Sequence, residues 1–247
     1  MKIALIGDAH GETTYMRVAL RRARELGADL AIQVGDYGYW PDAHRYTATI
    51  RRDAAKVGLT MWVIPGNHDY PGEGRKTDAG YLAWQTDTPQ LDQHCVVARG
   101  TVVTIDGTRV GFMGGAISID RARRTLGRNY WNEERINDAD VERALDNGPV
   151  DLWITHDAVG VPSVLPEYHW PDVHLHHDLT VATARMRTMF EALRPSLHVH
   201  GHYHVAYSAP TEYGVVVGLS CEHLPTSCIV VDTSDLTTWS WFTEKGT

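Results

Sequence analysis

The sequence predicts an α/β fold in which parallel strands alternate with helices, and three observations lead to this class. Short, largely apolar runs occupy residues 2–6, 30–34 and 60–64. Between them, residues 13–26 and 43–57 carry apolar side chains at helical spacing. Each apolar run ends at a polar turn. This alternation is typical of parallel sheets covered by helices, in which ligands bind beyond the carboxyl ends of the strands.

The second half of the chain is predicted to contain fewer helices and more strands. Two strands, at residues 95–103 and 109–113, flank the Asp106-Gly107 turn, which is a hairpin signal. The other predicted elements are helices at residues 137–145 and 180–193 and strands at residues 150–155, 197–199, 215–217, 229–231 and 237–241. The last three strands are expected to be antiparallel, so that the chain finishes as a second sheet.

An irregular segment is predicted at residues 157–178. It is rich in proline, aromatic residues and histidine, which suits a loop packed over a site better than a linker. His174, His176 and His177 in it suggest a metal site, but a surface, lid or substrate-contacting role is the preferred interpretation.

The composition limits the classes of function. A net charge of -8 argues against general binding to nucleic-acid backbones. The chain has 14 histidines and only 3 cysteines, which points to a divalent ion held by nitrogen and oxygen, such as Mn, Fe, Zn, Ni or Co. No C-x-x-C pair is present, and no apolar run is long enough for a signal peptide or a membrane span. We therefore expect one domain, 1–247, in a cytoplasmic protein without a membrane partner.

Polar residues with metal-binding chemistry follow five of the predicted strands. A single histidine or aspartate after a strand is usually a turn or capping residue. Here the same arrangement recurs after five apolar runs, which turn chemistry alone does not explain. The residues are Asp8 and His10, then Asp36, then Asn67 with His68 and Asp69, then His156, and finally His202 and His204.

The order D-x-H, G-D, G-N-H-D, an isolated H and G-H-x-H resembles the signature of the calcineurin-like metallophosphoesterases over nearly the whole chain. The resemblance implies a four-layer α/β/β/α double β-sandwich with metals at one edge of the sheets. The segment 114–133 also looks like that of compact phosphoesterases from bacteria and their phages, which is a weaker likeness.

The resemblance also implies a role for each motif residue. One metal would be bound by Asp8, His10, Asp36 and His204, and the other by Asp36, Asn67, His156 and His202. Asp36 would bridge the two ions, and a hydroxide between them would attack phosphorus. His68 would be the acid for the departing alkoxide, with Asp69 orienting it; alternatively, His68 only forms a hydrogen bond in its turn.

Several other residues near the motifs are open to more than one interpretation. His200 and His198 are expected to support the site or the core rather than to coordinate metal. Tyr37, Tyr39 and Trp40 either wall the pocket or pack in the core. For the arginines after Asp120, the slightly favoured interpretation is a solvated helix face, and the alternative is contact with phosphate. These arginines are Arg121, Arg123, Arg124 and Arg128.

Fold and metals do not identify the substrate, because the family acts on many phosphoesters. We expect a small phosphodiester or nucleotide, such as a 2',3'-cyclic or 3',5'-cyclic nucleotide, with two divalent metal ions, manganese being the first choice. A phosphomonoesterase or phosphoprotein phosphatase is the alternative, followed by a nuclease and an inactive metal-binding scaffold.

Overall fold

The computed structural model describes residues 1–73, 80–160 and 173–242. The strands in these ranges are β1 (Lys2–Ile6), β2 (Leu30–Gln33), β3 (Thr60–Val63), β4 (Gln85–Thr86), β5 (Cys95–Val97), β6 (Val102–Ile105), β7 (Thr108–Met113), β8 (Leu152–Thr155), β9 (Leu197–His200), β10 (Tyr207–Pro210), β11 (Val215–Gly218), β12 (Cys228–Asp232) and β13 (Asp235–Trp241). The α-helices are α1 (Thr13–Glu25), α2 (His44–Lys56), α3 (Asp138–Asp146) and α4 (Val173–Leu193). Short 3-10 helices span Tyr81–Trp84, Arg121–Arg123 and Asn132–Glu134.

The strands form two mixed sheets. The first is 7-stranded, in the order β13-β12-β1-β2-β3-β5-β4, and the second is 6-stranded, in the order β10-β11-β9-β8-β7-β6. Strands β1, β2 and β3 are parallel neighbours, and so are β7, β8, β9 and β11. Parallel neighbours end at the same edge of a sheet, so residues that follow β1 to β3 lie side by side.

Alternation along the strands builds a four-layer α/β/β/α sandwich, as expected. Ile3 and Leu5 of β1 point into the core between the sheets, where they meet residues of the second sheet such as Phe112. Ala4 and Ile6 point the other way, into a core shared with α1 and α2. On the far face of the second sheet, a third core contains residues of β7, β8 and β11 together with α3 and α4. None of the helices in the described ranges is long and apolar enough to cross a membrane.

The hairpin at Asp106-Gly107 is confirmed, but the strand predicted at residues 95–103 is divided between the two sheets. Asp106 and Gly107 have φ values of 50° and 84°, as the tight turn between β6 and β7 requires. Before it, β5 belongs to the first sheet and β6 to the second. The chain crosses between them at Gly100, whose φ of 74° interrupts extended backbone.

The expectation that the chain finishes as a second sheet holds for β10 and β11 but was wrong for β12 and β13. Strands β10 and β11 extend the sheet that already contains β6 to β9, and β11 is parallel to β9. Strands β12 and β13 return to the first sheet, where β12 pairs antiparallel with β1. The return buries Ile229 and Val231 between the sheets beside Ile3 and Leu5.

The irregular segment predicted at residues 157–178 ends earlier than expected, because a helix begins within it. Helix α4 begins at Val173 rather than near Thr180, so that His174, His176 and His177 are exposed helical residues. Residues 161–172 of the expected loop lie outside the described residues, and a loop over the site stays a prediction.

Candidate dinuclear metal centre

All of the predicted site residues lie at the carboxyl ends of parallel strands. Those from the first sheet follow β1, β2 and β3, and those from the second sheet follow β8 and β9. The two sheets meet at this edge, so the five turns converge. Their positions could be predicted because each lies within a few residues of the end of its strand.

The first group of potential ligands is Asp8, His10, Asp36 and His204. One ligand atom from each lies within 4.8 Å of the others. His204 Nε2 is 3.0 Å from Asp8 Oδ2, and His10 Nε2 is 3.5 Å from Asp36 Oδ2. Two carboxylates and two imidazoles form a set that suits a borderline divalent cation.

The second group adjoins the first through Asp36. His156 Nε2 lies 3.4 Å from Asp36 Oδ1 and 2.9 Å from Asn67 Oδ1. The His202 ring completes this side, with its centroid 5.1 Å from that of His156. Asp36 therefore directs Oδ2 towards His10 and Oδ1 towards His156, the arrangement needed for a carboxylate shared by two ions.

Four of these residues have left-handed backbone conformations, which side chains other than glycine rarely adopt. The φ values are 43° for His10, 53° for Asp36, 69° for His202 and 56° for His204. Each such residue costs about 1 to 3 kcal/mol and persists only where the surrounding structure requires it. The backbone here is thus shaped to aim side chains at one point.

Glycines in two of the motifs make room for the carboxylates. A Cβ on Gly66 would lie 2.1 Å from Asp36 Oδ1, and a Cβ on Gly201 would lie 2.1 Å from Asp8 Oδ1. No side chain larger than hydrogen fits at these two positions unless the carboxylates move. The glycines of G-N-H-D and G-H-x-H are therefore part of the site.

The electrostatics of the groups match a cation site. Burial lowers the pKa of His10 and of His156, but hydrogen bonding and charge from Asp36 outweigh it and raise each pKa to about 9. For His204, burial is likewise outweighed by Asp8, and the pKa rises to about 11. Without metal, the buried carboxylates hold protons on these imidazoles, and a dication would replace that positive charge.

His202 provides the clearest test of whether a metal fits. Its Nε2 is buried and has no hydrogen-bond partner among the described residues. Burial, followed by the charge of His156, lowers the pKa of His202 to about 3, so the ring is neutral. An unpartnered, buried lone pair or N–H costs about 1 to 3 kcal/mol, and a metal ion bound to this nitrogen would satisfy it. The residues present therefore fit a metal.

Comparison with known proteins places this site in a family. Residues 1–206 match the family model described as calcineurin-like phosphoesterase. The chain belongs to the calcineurin-like phosphoesterase family. Membership supports phosphoester hydrolysis, and the family is dimetal-dependent.

Solved structures show the same fold at low sequence identity. The protein TT1561 of Thermus thermophilus has a TM-score of 0.60 at 13% identity, with 97% of each chain covered. A putative 5'-nucleotidase from Staphylococcus aureus has a TM-score of 0.53 at 12% identity, covering 98% of this chain and 53% of that one. A dimetal phosphatase from Danio rerio has a TM-score of 0.50 at 10% identity, covering 93% and 91%. No curated protein matches the chain.

The candidate metal centre of this calcineurin-like phosphoesterase is supported by residues that were not predicted from the sequence. Glu222 Oε2 accepts a hydrogen bond of 2.9 Å from His10 Nδ1, which leaves Nε2 of that ring facing Asp36. Asn67 Nδ2 donates to Ser118 Oγ at 3.0 Å. Ser118 in turn donates from Oγ and from its backbone N to the buried Glu134 carboxylate, at 2.7 and 2.9 Å.

Glu134 is expected to hold Asn67 indirectly, through Ser118. Because the Asn67 amide nitrogen is bound to Ser118, its Oδ1 is turned towards His156. Burial raises the pKa of Glu134 to about 7. These contacts link residues 16 and 51 positions apart, and no local pattern in the sequence indicates them.

His68 lies at the outer side of the centre. Its side chain is 30% exposed, and its backbone N donates to Asp36 Oδ1 at 2.8 Å. Arg124 Nη2 contacts both ring nitrogens, at 2.7 Å for Nδ1, while its Nε is 2.7 Å from Asp120 Oδ1. Burial, with Arg124 and His10 adding to it and Asp36 opposing, lowers the pKa of His68. Arg124 thus contacts a site residue, whereas a solvated helix face was slightly favoured.

Asp69 supports the loop behind the site. Its carboxylate accepts hydrogen bonds from the backbone N–H groups of Tyr37, Gly38, Tyr39 and Gly66, at 2.8 to 3.1 Å. Among the described residues, the Asp69 side chain accepts hydrogen bonds from backbone N–H groups. Asp69 therefore positions the turns that carry Asp36 and His68, and it is not hydrogen-bonded to the His68 ring. A direct catalytic role for Asp69 stays a prediction.

The neighbouring histidines and aromatic residues have structural roles. His200 Nε2 is 2.6 Å from the Tyr207 hydroxyl, and its Nδ1 donates to the Gly201 carbonyl oxygen. His198 is buried and contacts Thr155 Oγ1. Tyr37 and Tyr39 are also buried, and they pack in the core beneath α1 and α2. Trp40, in contrast, is 40% exposed near His68.

Proposed function

We propose that the protein hydrolyses small phosphodiesters with the help of two divalent metal ions. Cyclic nucleotides with a 2',3' or 3',5' linkage are the first candidate substrates. Manganese is the first candidate metal, followed by iron, zinc, nickel and cobalt. The observation that supports a dinuclear centre is the position of Asp36, whose two carboxylate oxygens face His10 on one side and His156 on the other.

Each of the two groups of potential ligands would bind one metal ion. Asp8, His10 and His204 would hold one ion together with Asp36, while Asn67, His156 and His202 would hold the other with the same carboxylate. The bound ions would lower the pKa of water to supply a nucleophile near neutral pH and would offset charge on the phosphoryl oxygens. Three residues supply the support described above: Ser118 and Glu134 behind Asn67, and Glu222 behind His10.

His68 is proposed to transfer a proton to the leaving oxygen. Its ring is partly exposed beside the ligands, with its centroid 5.3 Å from that of His10. A diester releases an alkoxide, which needs a proton as the bond to phosphorus breaks. The Arg124 guanidinium at this ring would stabilise negative charge on the phosphoryl group or on the departing oxygen.

A small substrate fits the charge and the surface around the site. The net charge of -8 disfavours long nucleic acids. The exposed Trp40 offers a ring on which a base or sugar can pack. A phosphomonoesterase is the alternative, because Arg124 would also suit the dianion of a monoester.

Hydrolysis by metal-stripped protein, with manganese restored, tests the proposal. We expect faster turnover of bis-p-nitrophenyl phosphate than of p-nitrophenyl phosphate, and none without metal. Asp36→Asn should lower the rate at least about 100-fold, because changes behind metal ligands already cost about 10 to 100-fold. Asp138→Asn, at an 82% exposed carboxylate of α3, is the matched control.

Each other result points to a different function. Preference for the monoester would indicate a phosphomonoesterase. Cleavage of single-stranded DNA or RNA in place of either small ester would indicate a nuclease. Manganese binding without Asp36-dependent turnover of any substrate would contradict an enzymatic role and indicate a metal-binding scaffold.

A further inference from the structure

We propose that the pocket beside His68 binds a second phosphate of the substrate, one that is not hydrolysed. The preferred substrates would then be open-chain phosphodiesters in which the leaving nucleoside carries a further phosphate group, ahead of cyclic nucleotides, which contain a single phosphate. This inference rests on the proposed function and specifies its substrate class.

The pocket is located where the leaving group would have to be. It has a volume of about 420 Å³ and is lined by His68 together with Trp40, Arg123, Arg124, Arg128 and Trp131, among others. Pockets that bind small ligands commonly have volumes of about 300 to 1,000 Å³. Since His68 is the proposed acid for the leaving oxygen, a group attached to that oxygen would extend into this pocket.

The charge of the pocket is opposite to that of the whole chain. Three arginines line it against one carboxylate, that of Asp120, while the protein carries a net charge of -8. Clustered guanidinium groups in a concave site attract and orient anions such as phosphate. A neutral leaving group would make no use of this concentration of positive charge.

The three arginines are not equivalent. Arg124 is held in place by Asp120, and its side chain is only 8% exposed, so its guanidinium is already oriented next to His68. Arg123 and Arg128 are exposed, and within the described ranges their side chains have no hydrogen-bonding or ion-pair partner. Arg124 is thus suited to the scissile group, and the other two are free to bind a further phosphate.

The aromatic residues of the pocket are consistent with a nucleoside. Trp40 has a 40% exposed ring that lies close to the backbone of Gly11. A Cβ added to Gly11 would be 3.4 Å from Cη2 of this ring. Trp131 is buried and packs against Tyr70, with ring centroids 5.4 Å apart, so it forms a fixed wall. An exposed ring on a rigid support can stack on a base.

The experiment compares substrates that differ only in the additional phosphate. The dinucleotide TpT is measured against pTpT and TpTp with the manganese enzyme, so that either nucleoside can be the leaving group. We expect kcat/KM for one phosphorylated form to exceed that for TpT at least about tenfold, because a hydrogen bond to a charged group changes an equilibrium constant by about this factor or more. The double variant Arg123→Gln/Arg128→Gln should reduce this preference to less than about twofold.

The control variant is Arg187→Gln, at an exposed arginine of α4, which should keep the preference. If the double variant does not fold, Arg128→Gln alone is measured, and a reduced preference is again expected. A preference below twofold in the unmodified enzyme, or one that survives in the variants, would overturn the subsite. Turnover of bis-p-nitrophenyl phosphate is measured on the same sample. If the subsite is wrong but the proposed function is right, this diester is still hydrolysed; if the proposed function is wrong, it is not.

Discussion

Removing the hydroxyl of Ser118 is expected to weaken metal binding although Ser118 is not a ligand. Ser118→Ala deletes the bond from Asn67 Nδ2 and the bond to Glu134 Oε2, which measure 3.0 and 2.7 Å. Asn67 is 1% exposed and Glu134 3% exposed, so water does not readily replace the lost partner. The Asn67 amide then loses the contact that keeps its oxygen turned towards the second metal position.

The size of the effect follows from these two lost hydrogen bonds. Each buried polar group left without a partner costs about 1 to 3 kcal/mol, so the free energy of unfolding should fall by about 2 to 6 kcal/mol when two groups lose a partner. Manganese affinity should fall about 10 to 100-fold, as is usual when a residue behind a ligand is removed. Urea unfolding of the metal-free protein measures the first quantity, and calorimetric titration with manganese measures the second.

Thr108→Val is the matched control for this prediction. It removes a buried hydroxyl that donates to the Thr233 carbonyl oxygen at 2.8 Å, at the end of β7 remote from the site. This variant should lose stability and keep its manganese affinity. If Ser118→Ala also bound manganese within about twofold of the unmodified protein, the orienting role of Ser118 would be refuted.

Two further predictions concern pH and Asp69. The pKa of His10 rises from 6.5 when unfolded to about 9 in the metal-free fold, so this histidine stabilises the fold below pH 6.5 and the stability is lost as pH rises through about 9. Between pH 6.5 and 9, urea unfolding should therefore show a falling free energy of unfolding for the metal-free protein. For the manganese-loaded protein the free energy of unfolding should rise over the same range, because protons compete with the metal for the ligands. The same sign of pH dependence in both forms would contradict this prediction. Asp69→Asn turns an amide N–H towards backbone donors such as Gly66 N and should cost about 2 to 4 kcal/mol of unfolding free energy. The control Asp138→Asn, which weakens only an exposed ion pair with Arg185, should cost less than about 1 kcal/mol. An Asp69→Asn protein as stable as the unmodified one would show that the carboxylate is not needed for the loop.

Much of the fold could be predicted because its signals are local. The alternation of strand and helix over residues 2–64 specifies the parallel part of the first sheet, and the Asp106-Gly107 pair specifies the hairpin. Pairing over long distances was harder. Residues 229–231 form a strand in either arrangement, because a short run of buried β-branched residues suits an inner strand of either sheet. Only the contact with β1, more than 200 positions away, decides that β12 joins the first sheet.

The potential metal ligands could be identified for the same reason. Asp8, Asp36, Asn67, His156 and His202 each lie within three residues after an apolar run, so the neighbouring residues indicate that they lie at strand ends. Their roles came from a resemblance to a family. Their convergence depends on the face-to-face packing of the two sheets, which brings the carboxyl ends of the strands together.

The amino-acid sequence by itself determined the elements, the strand ends and the chemical types of the potential ligands. The tertiary structure decided what surrounds them: Glu222 behind His10, Ser118 and Glu134 behind Asn67, and Arg124 beside His68. The physical reason is distance along the chain. Propensity and periodicity act over a few residues, whereas these contacts join residues 16 to 212 positions apart, and the packing of two sheets and their loops brings them together.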